Sequence, residues 1–165
     1  MARRFPFFNV SILIVTIYTD GSYSPQHDVG AWAALLFVND EIVQLSAIEH
    51  QTTHNRMELL AIIKSIDWLN ENSVHPEEII VITDSQYAER LPLRKEKLIT
   101  NNFITKKGNE LRNADLLKLL FAHLDTGILR FIKVRAHQPK TGETNYNRVV
   151  DELVRALLRG NLADK

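Results

Sequence analysis

Cysteine is absent from this chain of 165 residues. That excludes a disulfide framework, a thiolate zinc site and a cysteine nucleophile. The absence suits a reducing compartment, and a cytoplasmic location is the expectation. No internal repeat, low-complexity tract or Pro/Gly-rich linker interrupts the sequence. Residues 12–165 are therefore read as a single domain behind a short extension, residues 1–11. Net charge is lacking too, with 20 Lys and Arg against 20 Asp and Glu, which on totals alone argues against a polyanionic partner. Behind Arg3-Arg4 an apolar run from Phe5 to Val15 imitates a signal peptide, but no small-residue cleavage site follows. Cleavage there would also remove the first strand. The run falls short of the roughly 20 residues needed to span a bilayer, so no membrane association is expected.

What is present describes a globular protein: 45% hydrophobic and 24% charged residues. A first strand is read at about 12–19, a second at 31–38 and a third at 41–48, with Asn39-Asp40 as the hairpin turn between the last two. Leu59, Ile62, Ile63, Ile66 and Leu69 recur at three- and four-residue spacing, which predicts a helix over 54–70. Thr52-Thr53 stands ready to cap it. The run Ile79-Ile80-Val81-Ile82-Thr83 is apolar on both faces, which places that strand centrally and parallel to the first. Helices follow at 85–90, 94–102 and 113–124, then a fifth strand at 129–134 and a last helix at 147–159 that Gly160 is placed to end. The order β-β-β-α-β-α-β-α predicts a five-stranded mixed α/β sheet with helices on both faces.

Four carboxylates stand where buried elements end or helices begin. Asp20 closes one apolar run and precedes Gly21-Ser22; Asp84 closes another; Glu58 and Asp151 sit early in helices. Asp20 and Asp84 fall at the carboxyl ends of adjacent parallel strands, where open α/β sheets place their ligands. Acids gathered there repel one another and are poorly hydrated unless a cation neutralises them. Hard oxygen donors suit Mg²⁺ or Mn²⁺, and a pair of such ions suits phosphoryl transfer.

The strings Tyr18-Thr19-Asp20-Gly21-Ser22, Thr53-His54-Asn55-Arg56-Met57-Glu58-Leu59 and Thr83-Asp84-Ser85-Gln86-Tyr87 occur in that order. They are followed by Val134-Arg135-Ala136-His137 and Asp151-Glu152-Leu153. Together they resemble the type 1 ribonuclease H family, bacterial-like ribonuclease HI. The resemblance implies the ribonuclease H-like fold and hydrolysis of the RNA strand of RNA–DNA hybrids with two Mg²⁺ ions, Mn²⁺ being a substitute. Products would carry 5′-phosphate and 3′-hydroxyl ends. It implies that Asp20 bridges both ions, with Glu58 and Asp84 on one and Asp151 on the other. His137 would shuttle a proton or assist product release.

Substrate choice must rest on the 2′-hydroxyl. The resemblance assigns its recognition to backbone near Gly21 and to Asn55 and Gln86, and a DNA phosphate to Thr53. His54 also falls within the substrate-binding stretch, at a position usually asparagine in bacterial relatives, and Ser24-Pro25-Gln26-His27-Asp28 replaces a glycine- and asparagine-rich turn. Between Arg90 and Arg112 seven basic residues face only Glu96 and Glu110. This segment resembles the family's basic protrusion, with Arg94, Lys95, Lys97, Lys106 and Lys107 as hybrid contacts and Phe103 as the one aromatic available. No protein partner is implied, and a monomer is expected. Two competing classes are a catalytically silent binder of hybrids or double-stranded RNA, and another nuclease or strand-transfer enzyme of the same fold. A pure binder has no reason to concentrate negative charge where phosphate must approach. The Asn-Arg-Met-Glu string and the His137 loop favour the nuclease of hybrids.

Overall fold

The computed structural model describes residues 12–135 and 144–163. Three antiparallel strands open the fold: β1 (Ile14–Ser24), β2 (Val29–Val38) and β3 (Glu41–His50). Helix α1 (His54–Glu71) returns the chain to β4 (Glu78–Thr83). Three helices, α2 (Gln86–Glu89), α3 (Leu91–Thr100) and α4 (Ala114–Asp125), fill the connection to β5 (Leu129–Lys133). Helix α5 (Tyr146–Ala163) ends the described chain. The sheet order is β3-β2-β1-β4-β5, with β4 parallel to both β1 and β5.

Each face of the sheet is buried for a reason visible in the chain. The α1 stripe Leu59, Ile62, Ile63, Ile66 and Leu69 is at most 3% exposed and packs on Val15, Ile17 and Val81, with α4 alongside. Val150, Val154 and Leu158 of α5 cover Val29, Ala31, Ala33 and Leu35 on the other face. A cluster of Tyr18, Phe37 and Tyr146, with centroids 4.7–5.6 Å apart, closes its end. The Oγ1 of Thr53 accepts from the Arg56 amide at 3.2 Å and caps α1, as expected.

The two largest boundary differences from the sequence reading have a physical reason. The first strand does not end at Thr19: it runs on to Ser24, because β2 continues to pair with it from Thr16↔Phe37 to Ser24↔Val29. Asp20-Gly21-Ser22 is therefore strand, and the turn lies at residues 25–28, with Asp28 in the left-handed region (φ 49°). The parallel pairing with β4 stops at Tyr18↔Ile82, so β1 passes alone beyond the end of β4. Nor does Gly160 end the last helix, which continues to Ala163. One glycine in a solvent-facing turn costs a helix only about 1 kcal/mol, and Leu158 buried two residues earlier keeps the segment docked.

Gly21 is the point of closest approach between β1 and α1. A Cβ there would lie 2.7 Å from the Glu58 amide nitrogen, 2.7 Å from Met57 Cβ and 2.9 Å from the Met57 carbonyl carbon. Gly160 has open space around the same position. Thermal unfolding should therefore give opposite signs for the two alanine substitutions. Gly21→Ala should destabilise by about 1–3 kcal/mol, because strand and helix must separate. Gly160→Ala should stabilise by up to about 1 kcal/mol. A Gly21→Ala variant as stable as the parent would contradict the close approach.

Candidate active site

Three acids converge where β1 outruns β4. Two residues beyond the last parallel pair, Tyr18↔Ile82, the strands carry Asp20 and Asp84 respectively. Asp20 shares the α5 side of β1 with Tyr18 by strand alternation. Asp84 is held at the β4–α2 junction by short local bonds. Thr83 Oγ1 accepts from the Ser85 amide at 3.0 Å, and Ser85 Oγ caps α2 by accepting from the Ala88 amide at 3.2 Å. Glu58 arrives from α1 across the bare surface of Gly21. One carboxylate oxygen from each of Asp20, Glu58 and Asp84 lies within 4.8 Å of the others.

The electrostatic cost of this arrangement is explicit. Burial, then the neighbouring Asp84, pushes the Asp20 carboxyl up from 3.8 to about 7, although the Gly21 amide donates to its Oδ1 at 2.9 Å. Burial, followed by Asp20 and Asp84, raises Glu58 well above the usual carboxylate range. Glu58 is 1% exposed: its Oε1 faces His54 Nε2 at 3.3 Å, while its Oε2 has no hydrogen-bond partner among the described residues. A buried acceptor without a donor, inside a cluster of acids, is completed by a cation rather than by a further anion or an apolar group. The oxygen donor set fits a hard divalent ion.

These acids line a cavity of about 890 Å³. Its walls bring in Gly21, His54, Asn55, Gln86 and Asp151 from the sequence-derived set. Asp151 is on the wall but outside the 4.8 Å group, and its Oδ1 accepts from Arg155 Nε at 2.7 Å. Thr53 serves as the α1 cap. The basic residues expected between Arg90 and Arg112 do not line the cavity. Lys95 is paired with Asp125, whereas Arg94, Lys97, Lys106 and Lys107 are exposed on α3 and the loop after it. Phe103 is not available to a ligand: it is buried against Phe121, with Lys118 5.3 Å from its ring centroid. His137 lies outside the described residues. The sequence reading gave no site role to Tyr23 and Tyr87 on the cavity wall, or to Arg155 and Arg159 on the same side as Asp151. The four-residue step from Asp151 to Arg155 to Arg159 was the signal available for the last two.

The raised carboxyls have a consequence for stability, with a definite sign. Between about 4 and about 7 the unfolded chain has lost the Asp20 proton while the folded protein, free of cations, retains it. Folding stability from this group is therefore lost as pH rises through that window. In the presence of a chelator, Asp20→Asn should melt above the parent by about 5 °C at pH 8. That margin should shrink toward pH 4. A difference in Tm that does not change with pH would contradict the raised carboxyl.

Comparison with known proteins agrees with this geometry. A model of the RNase H family matches residues 13–159. The chain is 34% identical over 147 residues to a ribonuclease H of Caldicellulosiruptor saccharolyticus, covering 88% of this chain and 96% of that protein. It is 32% identical over 129 residues to a ribonuclease HI of Rickettsia prowazekii, covering 78% and 82%. Among solved structures, LC9-RNase H1, described as a type 1 RNase H with the type 2 active-site motif, superposes with a TM-score of 0.72. It has 19% identity and covers 93% of this chain and 75% of that one. LC11-RNase H1, solved in complex with an RNA/DNA hybrid, superposes with a TM-score of 0.63 at 19% identity, covering 90% and 99%. The five-stranded sheet with helices on both faces is thus the ribonuclease H-like fold, and the chain belongs to the RNase H family.

Proposed function

We propose that this protein hydrolyses the RNA strand of RNA–DNA hybrids by two-metal-ion catalysis, leaving 5′-phosphate and 3′-hydroxyl ends. The observation that carries the reading is the group Asp20, Glu58 and Asp84, whose oxygens come within 4.8 Å of one another, with Glu58 Oε2 unpartnered among the described residues. As three free anions the group is strained; with bound cations it is satisfied. Family membership and a hybrid-bound protein of the same fold support the substrate class.

Asp20 would contribute to both cation positions, Glu58 and Asp84 to one and Asp151 to the other, with Mg²⁺ the expected ion and Mn²⁺ a substitute. A pair of such ions lowers the pKa of an attacking water and offsets the charge that gathers on phosphorus. Everything else falls to the side chains and backbone. His54, 3.3 Å from Glu58 Oε1, orients that carboxylate. Asn55 and Gln86 on the cavity wall, with backbone at Gly21, read the 2′-hydroxyl, and Thr53 holds a phosphate of the DNA strand. Water attacks phosphorus, the bond to the 3′ oxygen breaks, and that oxygen takes up a proton; His137 is assigned the proton transfer or product release. Arg94, Lys97, Lys106 and Lys107 supply sequence-independent phosphate contacts. Lys95 adds to them by leaving Asp125.

The test is cleavage of matched RNA–DNA, RNA–RNA and DNA–DNA duplexes with Mg²⁺, Mn²⁺ and Ca²⁺. RNA should be cut only in the hybrid, with Mg²⁺ or Mn²⁺, and end analysis should give 5′-phosphates. Asp84→Asn should lower turnover by about 100-fold or more, the order seen when one preorganised electrostatic group is lost. Hybrid binding should be little changed. Wild-type turnover by Asp84→Asn would overturn the assignment.

A further inference from the structure

The fourth acid is held differently from the other three. Asp151 does not join the 4.8 Å group, and its side chain is 24% exposed. Its Oδ1 is engaged by Arg155 Nε at 2.7 Å, one helical turn further along α5. Two i,i+4 pairs occupy this helix, and they differ in where they point. Arg148 Nε donates to Glu152 Oε1 at 2.7 Å, and neither residue lines the cavity. Asp151 and Arg155 both line it, and the positive charge of Arg155 reaches the cluster itself, where it lowers the Asp20 carboxyl against the larger effects that raise it.

We propose that Arg155 is the resident counter-cation of Asp151, so that the second metal position in this protein is filled by displacing a guanidinium rather than by entering a vacant carboxylate. This rests on the reading of Asp151 as the fourth ligand. The physical case has three parts. A guanidinium stays charged throughout the working pH range, so it competes with a metal ion as one cation against another. Its long stem is about half exposed on the cavity wall and can turn away without moving α5. Arg159, the next residue on that stripe, forms no ion pair among the described residues, which leaves Arg155 as the guanidinium on Asp151. A divalent ion at Asp151 therefore has to overcome the lost Arg155 contact and the repulsion of the nearby guanidinium. Among the described residues no Lys or Arg forms an ion pair with Asp20, Glu58 or Asp84, and the exposed His54 lies 3.3 Å from Glu58 Oε1. The two positions are consequently unequal, one strong and one weak, and Arg155 is a positioning residue that sets the weaker.

Mn²⁺ binding, followed by the electron paramagnetic resonance signal of the free ion in the absence of nucleic acid, separates the two steps. Wild-type protein should bind one ion tightly and a second more weakly. Arg155→Gln keeps a polar group at an exposed site and removes the charge. It should tighten the weaker step by about two- to fivefold, the scale of one partly exposed ion pair, with a smaller change in the tighter step. Arg155→Lys should restore most of the wild-type weakness. A weaker step that is unmoved or further weakened in Arg155→Gln would overturn the proposal. Asp151→Asn tests the reading beneath it. Loss of the weaker step there confirms Asp151 as a ligand whatever Arg155→Gln does. An unchanged two-step isotherm in Asp151→Asn would remove Asp151 from the ligand set and the proposal with it. Far-UV circular dichroism of each variant verifies that the fold is intact.

Discussion

Like-charge repulsion among Asp20, Glu58 and Asp84 is the constraint around which the rest of the molecule is arranged. Three carboxylates whose oxygens approach within 4.8 Å, with Asp20 and Glu58 at most 8% exposed, cannot hold their positions by mutual attraction. Each is held instead by an element whose own packing is independent of the acid. Asp20 rides on β1, zipped to β2 for nine residue pairs. Glu58 rides on α1, whose stripe of isoleucines and leucines is sunk into the main core. Asp84 sits between Thr83 and Ser85, whose hydroxyls accept from the Ser85 and Ala88 amides and fix the backbone around it. The apolar burial of the two cores offsets the electrostatic strain stored at the carboxyl end of β4, where strain of this kind serves a site.

Much of this was legible in the sequence because the acids adjoin strong structural signals. An apolar run broken by Asp marks both a strand and its acid, and the α1 periodicity placed Glu58 on a definite helix. The central position of β4 followed from its apolar run. What escaped depended on tertiary pairing. Asp-Gly-Ser carries turn chemistry, and only continued pairing with β2 makes it strand. Glu58 is a charged residue early in a helix, yet it is buried, because Gly21 lets α1 close down on β1 at that level. Gly160 carries a helix-stop signal that the docking of Leu158 overrides. Phe103 looked like a free aromatic in a basic loop, but it anchors that loop to α4 through Phe121.

Charge is distributed across the site in a way that totals conceal. The acids occupy the floor of the cavity, while Arg155 and Arg159 stand on one wall and the exposed cations of α3 and its loop lie outside. Arg155 and Arg159 thus put positive charge beside the acids, a local arrangement that is invisible in a net charge of zero. In the proposed function the cations of α3 and its loop would hold a backbone, and the buried acids would take up a cation before a phosphate comes near.

The central claim is that the acid cluster is partly protonated when free of metal and becomes fully ionised by taking up cations. Carboxyl-carbon nuclear magnetic resonance of Asp20 and Glu58, followed from pH 4 to 9 with a chelator and then with Mg²⁺, measures this directly. With chelator, Asp20 should titrate near 7 and Glu58 well above the ordinary carboxylate range. Adding Mg²⁺ at pH 7 should ionise both and release protons to the solution. Titration of both groups near 4, with no proton release on adding Mg²⁺, would contradict the account.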